Sequence, residues 1–369
     1  MNLFRFVDQY GSYTFEEIPF CEVDNAIFAS LSYVNLDGLV SKYYFSKKTI
    51  HDVGEEYFKT RYSKKNKNPL LSIKQAIKLF RYLKDTKRYG NLFLYNYVYE
   101  CGEEQQFSAV TIEINPKLVY VSFEGTDHLI SGWKEDFMMS YQFPVLSQKK
   151  AIQYINSRFL FQRKEIILGG HSKGGNLAMV AGMYANFIIR NKIIQVYNND
   201  GPGLLLEQIT SKNYQYVQDK LIYIVPSHSV VGLILRHTED ITVVRSARKN
   251  VFSHDIFSWI VKEKKFERDE LSLFSKRFDE GLVHWLTQYD LMVREQFVLS
   301  LFEVFERANV TSLIDIMENK RLILHLITEM KELDDATKKI LKDLIFYLVR
   351  CFKDVKFEEL KLLFEKNNA

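Results

Sequence analysis

Ser172 stands at the centre of Gly169-Gly170-His171-Ser172-Lys173-Gly174-Gly175, a spacing that suits nucleophilic attack on a carbonyl carbon. A serine hydroxyl is a weak nucleophile, and the G-x-S-x-G pattern solves half of that problem by presenting it on a sharp strand-to-helix turn. Side chains two residues before and after the serine would collide with the adjoining strand and helix, so glycine is required at 170 and 174. The flanks agree: Ile166-Ile167-Leu168 reads as a short apolar strand and Asn176-Leu177-Ala178-Met179-Val180-Ala181 as helix. A helix opening at the serine aims its N-terminal N–H groups and positive dipole end at the atom where negative charge develops. The plain alternative is a glycine-rich turn that only packs a helix on a strand, and the required order of strand, turn and helix argues against it.

The elements around that turn must carry its partners. Apolar stripes at Ala26 to Tyr33 and Ile73 to Leu83 make the first ninety residues mainly helical. The period then changes, and Leu92 to Tyr99, Phe107 to Ile114 and Leu118 to Phe123 read as strands. A helix over Gln148 to Phe161 precedes strands at Glu165 to Leu168, Ile193 to Tyr197, Leu221 to Val225 and Ile241 to Val244, with the helix after Gly175 between them. Strands alternating with helices imply a mostly parallel sheet covered on both faces, an α/β fold, and with the serine turn at a strand-to-helix junction the expected type is the α/β-hydrolase. The apolar stretch Leu177 to Ile189 is too short to span a bilayer and reads as a buried core helix. All six prolines precede residue 230, and from about Phe266 apolar residues recur at helical spacing, as in Ile340, Leu344, Leu348 and Phe352. Two regions are expected: residues 1–265, a hydrolase domain that includes the N-terminal helices, and residues 266–369, all helical.

Upstream of the serine, Val119-Tyr120-Val121-Ser122-Phe123-Glu124-Gly125-Thr126-Asp127 is a strand ending in a Gly-Thr turn, followed by Gly132-Trp133-Lys134-Glu135-Asp136-Phe137. These segments and the serine turn, in this order, resemble the class 3 lipase family. The resemblance is strongest to a bacterial family carrying G-x-S-K-G-G-N-L-A, N-D-G-P-G and G-W-K-E-D-F, and it covers roughly residues 20 to 260. It implies that Thr126 supplies one oxyanion-hole donor through its backbone N–H and Lys173 the other. Trp133 and Asp136 would brace that loop. Glu124 stands where the wider family usually has Arg, which alters local ion pairing and not the N–H donors.

An α/β-hydrolase places its acid and then its histidine after the serine in chain order. Of eight histidines, His51 and His128 come too early, His171 diverges from its neighbour, and His284 and His325 fall in helical patterns. His228 and His237 flank a helix expected over Val230 to Leu235. His254, in a loop just after the strand Ile241 to Val244, is the first choice as general base, and His228 the second. For the acid, the resemblance points to the end of Leu221 to Val225, but Pro226-Ser227-His228-Ser229-Val230 contains no carboxylate. Asp200, in Asn198-Asn199-Asp200-Gly201-Pro202-Gly203, ends the preceding strand on the same sheet edge and takes its place. Asp240 is the runner-up, and a turn-capping role for Asp200 is the alternative.

Composition narrows the rest. With 47% hydrophobic residues, 28 Phe and 22 Tyr in 369 residues, a large core is available. The balance of 50 basic against 46 acidic residues, net +4, gives no argument for nucleic acid. The basic run Lys64-Lys65-Asn66-Lys67 reads as a solvated loop. Cys21, Cys101 and Cys351 have no metal-like or disulfide-framework spacing. Neither metal nor cofactor is expected. An acidic residue, Asp8, interrupts the N-terminus before a signal sequence develops, so a cytoplasmic location is the default. The expected activity is that of a serine esterase or lipase acting on a small acyl ester or lipid. Peripheral membrane contact stays open for the helical tail, and the stretch Leu129 to Phe143 could serve as a lid. An inactive hydrolase fold used for binding, and an interaction module acting through the C-terminal helices, are the competing readings.

Overall fold

The β-branched and aromatic runs assemble into one eight-stranded sheet in the computed structural model, which describes residues 1–60, 71–102, 106–126, 130–237, 241–310 and 320–343. Its strands are β1 (Lys48–Thr49), β2 (Phe93–Cys101), β3 (Gln106–Asn115), β4 (Leu118–Phe123), β5 (Glu165–His171), β6 (Ile193–Asn199), β7 (Leu221–Pro226) and β8 (Thr242–Val244), neighbours in that order. The pairs β1/β2, β2/β3 and β3/β4 are antiparallel, and every pair from β4/β5 to β7/β8 is parallel. The parallel half brings the C-terminal ends of β4, β5, β6 and β7 to one edge, where ligands bind in open α/β sheets.

Period-2 alternation along the central strands explains why both faces are covered. Val119, Val121 and Phe123 of β4 and Ile166 and Leu168 of β5 enter one apolar cluster, while Tyr120 and Ile167 enter the other. The first cluster is completed by α6 (Leu146–Arg158) and α7 (Lys173–Met183), and the second by N-terminal helices α1 (Leu3–Tyr10), α2 (Glu22–Leu31), α3 (Ile50–Lys59) and α4 (Leu71–Leu83). Between them in the chain lies α5 (Ile130–Met138). The α2 helix is tied down by a buried ion pair, Asp24 to Arg88 at 2.7 Å, to which the Tyr89 hydroxyl also donates.

Several elements differ from the sequence reading. The Leu177 to Ile189 stretch is not one helix: α7 stops at Met183, and Asn186, whose side chain accepts from the Ile189 N–H, caps the separate α8 (Phe187–Arg190). Short helices α9 (Leu206–Ile209) and α10 (Lys212–Gln218) precede β7. Val230 to Leu235 forms only a 3₁₀ turn, Val231–Leu233. Phe266 is not helical either; β9 (Val261–Lys262) and β10 (Lys265–Phe266) make a small antiparallel hairpin. The tail helices start at α11 (Leu273–Gln288), capped by Ser272, and continue with α12 (Leu291–Arg307), capped by Asp290, and α13 (Lys320–Lys331). They form a third apolar cluster that includes Met139, Val145 and Leu235 of the sheet-bearing part. Lys64 to Lys67, Asp240, Cys351 and the tail positions Leu344, Leu348 and Phe352 lie outside the described residues.

Candidate active site

The strand β5 runs into α7 through Ser172, whose backbone has φ 58° and ψ −134°. A non-glycine residue held there is strained, and such strain persists only where the surroundings over-determine it. Here the surroundings are close: a Cβ on Gly170 would lie 2.3 Å from the Gly174 carbonyl carbon, and one on Gly174 would lie 2.1 Å from the Phe123 carbonyl oxygen. Both glycines required by the motif are therefore required by the packing. The turn is also pinned from β6, since the Ser172 N–H donates to the Asn199 carbonyl at 3.0 Å. Asn199 Nδ2 in turn donates to the Gly170 carbonyl at 2.9 Å, and Asn25 of α2 donates to Asn199 Oδ1 at 2.8 Å. One function of the N-terminal helices is thus to fix the ends of β5 and β6.

Asp200 follows directly on β6 and takes a positive φ of 52°. Its carboxylate is wholly buried and has three donors around it. Oδ2 accepts from His254 Nδ1 at 2.7 Å, and Oδ1 accepts from Ser229 Oγ at 2.5 Å and from the Gly232 N–H at 3.1 Å. Asp200 therefore does more than cap a turn. Ser229, in the segment where the resemblance led us to expect an acid, instead donates to the Asp200 carboxylate at the end of β6. Asn176 of α7 holds the same segment by donating to the Pro202 and Gly203 carbonyls at 3.1 and 2.8 Å.

His254 ends a 3₁₀ turn, Asn250–His254, beyond β8. Its placement relies on two contacts. His171 Nε2 donates to the His254 carbonyl at 2.8 Å while Tyr33 donates to His171 Nδ1 at 2.9 Å, and the indole of the fully buried Trp259 donates to the Ser253 carbonyl at 3.0 Å. The His171 and His254 rings lie 4.6 Å apart. Burial, with the proximity of His254 adding to it, holds His171 well below the ordinary histidine pKa, so it is neutral and its two nitrogens suit one donor and one acceptor role. His254 rather than His228 bonds Asp200; His237 packs edge-on against Tyr223 instead.

The segment after β4 closes the other side. Thr126 Oγ1 donates to Asp136 Oδ2 at 2.5 Å, which is the bracing expected of Asp136. Asp136 Oδ1 has no hydrogen-bond partner among the described residues and lies 4.0 Å from Lys173 Nζ. Burial pushes the Asp136 carboxyl up to about 6, against the opposing pull of Lys173 and the Thr126 hydroxyl. The side chain of Lys173, fully buried one residue past the serine, pairs with Glu135 at 3.2 Å, and Glu135 also accepts the Ser147 N–H at 2.7 Å. That pair went unread in the sequence, although the G-W-K-E-D-F and G-x-S-K-G-G motifs both carry it. It joins α5 to the start of α7, so the two segments expected to supply oxyanion donors are cross-linked through their side chains.

A cavity of about 220 Å³ is lined by Ser172 and Asp136 together with Trp133, Phe137, Trp285 and Phe297. Asp127, His128 and Leu129, the last of them the start of the lid candidate, lie outside the described residues; the rest of that stretch is α5 followed by the turn of residues 139–143, and both wall this cavity. Among the described residues no group of three or more His, Cys, Asp or Glu side chains is arranged to hold a metal, and no helix is long and apolar enough to cross a membrane.

A mostly parallel sheet, helices on both faces and a strained serine at the β5/α7 turn define a lipase-like α/β-hydrolase. The chain belongs to the Mbeg1-like family, whose model matches residues 83–303. Among solved structures, the crystal structure of M37 lipase is similar over 70% of this chain and 78% of that chain, with 14% identity and a TM-score of 0.35. No curated protein matches.

Proposed function

We propose that the protein is a serine hydrolase that cleaves a carboxyl ester through an acyl-enzyme. The observation that carries this reading is the hydrogen bond of 2.7 Å between His254 Nδ1 and the wholly buried carboxylate of Asp200, beside a serine held at φ 58°. With Nδ1 engaged by Asp200, Nε2 is the ring nitrogen left to take the Ser172 proton. Ser172 Oγ then bonds the ester carbonyl carbon, the carbon to alkoxide bond breaks, and the imidazolium returns its proton to the departing alkoxide. Water, deprotonated by the same imidazole, then bonds the acyl carbon. The bond from that carbon to Ser172 Oγ breaks to release the acid, and the imidazolium returns its proton to Ser172. Asp200 stabilises the imidazolium in both halves, and the backbone N–H groups of Thr126 and Lys173 hold the oxyanion. Ser229 and the Gly232 N–H, both donating to Oδ1, hold the acid in orientation.

The competing reading of an inactive fold is motivated by the displaced acid, and the hydrogen bond of His254 to Asp200 supports a working acid at that displaced position. The test is turnover of p-nitrophenyl esters by wild type beside Ser172→Ala and His254→Ala. We expect kcat to fall by about three orders of magnitude or more in each. Equal turnover in wild type and Ser172→Ala would contradict the proposal.

A further inference from the structure

The tail helices contribute one coherent face to the cavity at Ser172. Phe278, Leu282, Trp285 and Leu286 of α11 lie at helical spacing on one side, and α12 adds Phe297 and Val298. Interiors pack with few voids larger than a water, so an apolar space left open beside a reactive serine is an unfilled demand of the fold. Trp285 adds another: its buried Nε1–H has no hydrogen-bond partner among the described residues. A cavity of about 220 Å³ has room for roughly seven groups of water size.

Given the reading of Ser172 as nucleophile, we infer that α11 and α12 are the wall of the acyl pocket, and that the substrate class is esters of medium-chain acids, about six to eight carbons long. The sheet supplies the chemistry and the tail sets chain length. On this view residues 273–307 are part of the enzyme's specificity and are not an appended interaction module. Leu282, between Phe278 and Leu286 on the α11 face, is the position at which pocket depth is most simply altered.

The experiment reads the ratio of kcat/KM for p-nitrophenyl octanoate over p-nitrophenyl acetate in the full chain, comparing wild type with Leu282→Trp and Leu282→Ala. Each methylene excluded from an apolar site changes kcat/KM by about fourfold. An indole displacing about two methylenes therefore lowers the ratio by about fifteenfold, whereas Leu282→Ala moves the preferred acyl chain upward in length. An unchanged ratio in both variants overturns the pocket assignment and leaves the Ser172 chemistry standing. If wild type turns over neither ester, the proposed function fails and binding decides the pocket. Saturation-transfer NMR with methyl octanoate on Ser172→Ala protein would then show binding weakened by a further Leu282→Trp change, or no binding, which overturns the inference.

Discussion

Replacing Asp200 by asparagine exchanges one oxygen for an NH₂ group at almost constant volume, in a site with three donors among the described residues. Gly232 can only donate, and it faces Oδ1 at 3.1 Å together with the Ser229 hydroxyl at 2.5 Å. Turning the amide nitrogen toward them would bury an unsatisfied N–H pair, at a cost of about 1 to 3 kcal/mol. The amide oxygen therefore stays at the Oδ1 position and its NH₂ faces His254 Nδ1. That nitrogen must then accept, its proton moves to Nε2, and the imidazole cannot take the Ser172 proton. The loss expected from a wrong tautomer in such a triad is about 10⁴ in kcat, on the order of 5.5 kcal/mol of transition-state stabilisation. The assay is steady-state hydrolysis of a p-nitrophenyl ester by Asp200→Asn, with a urea melt to show that the fold persists. Activity within about tenfold of wild type would refute the assignment of Asp200 as the acid.

Two further outcomes concern the buried charges behind the serine. Glu135→Gln removes the 3.2 Å ion pair of the buried Lys173, whose ammonium also lies 4.0 Å from Asp136, and should destabilise the fold by about 3 kcal/mol in a urea titration, with Lys173→Met in the same chain recovering most of it; a loss below about 0.5 kcal/mol would contradict the pair's importance. Asp136 binds its proton more tightly folded than unfolded, so its contribution to stability is present below its unfolded pKa of 3.8 and is lost as pH rises to about 6. Asp136→Asn should remove that dependence, gaining about 2 to 3 kcal/mol over wild type at pH 7 relative to pH 4. Parallel stability profiles for the two proteins would count against a raised carboxyl.

Where chemistry follows local pattern, the sequence was legible. The serine turn needs glycine at fixed positions, and β4 and β5 announce themselves by apolar, β-branched runs bounded by turns. The position of Asp200 on the sheet edge that carries Ser172 was legible because consecutive parallel strands end there. What stayed hidden depends on contacts between distant residues. Ser229 gives no sign that its hydroxyl meets a carboxylate 29 positions earlier, and nothing near Lys173 says that Glu135, 38 positions upstream, will neutralise it. His171 looked like a bystander because its two bonds, to Tyr33 and the His254 carbonyl, are both long-range. The helix expected over Leu177 to Ile189 broke because Asn186 offers a local cap, a choice that apolar periodicity does not register. The role of the tail face in α11 is visible only once Phe278, Leu282, Trp285 and Leu286 are seen beside Ser172.

The central claim is that Ser172 is a nucleophile activated by His254. Its most direct test is intact-mass spectrometry after exposure to a fluorophosphonate, followed by peptide mapping of the adduct. The account predicts one phosphonyl group per chain, carried by the peptide containing Ser172 and abolished by Ser172→Ala, with labelling slowed strongly in His254→Ala. Stoichiometric labelling that survives Ser172→Ala, or no labelling of folded wild-type protein, would contradict it.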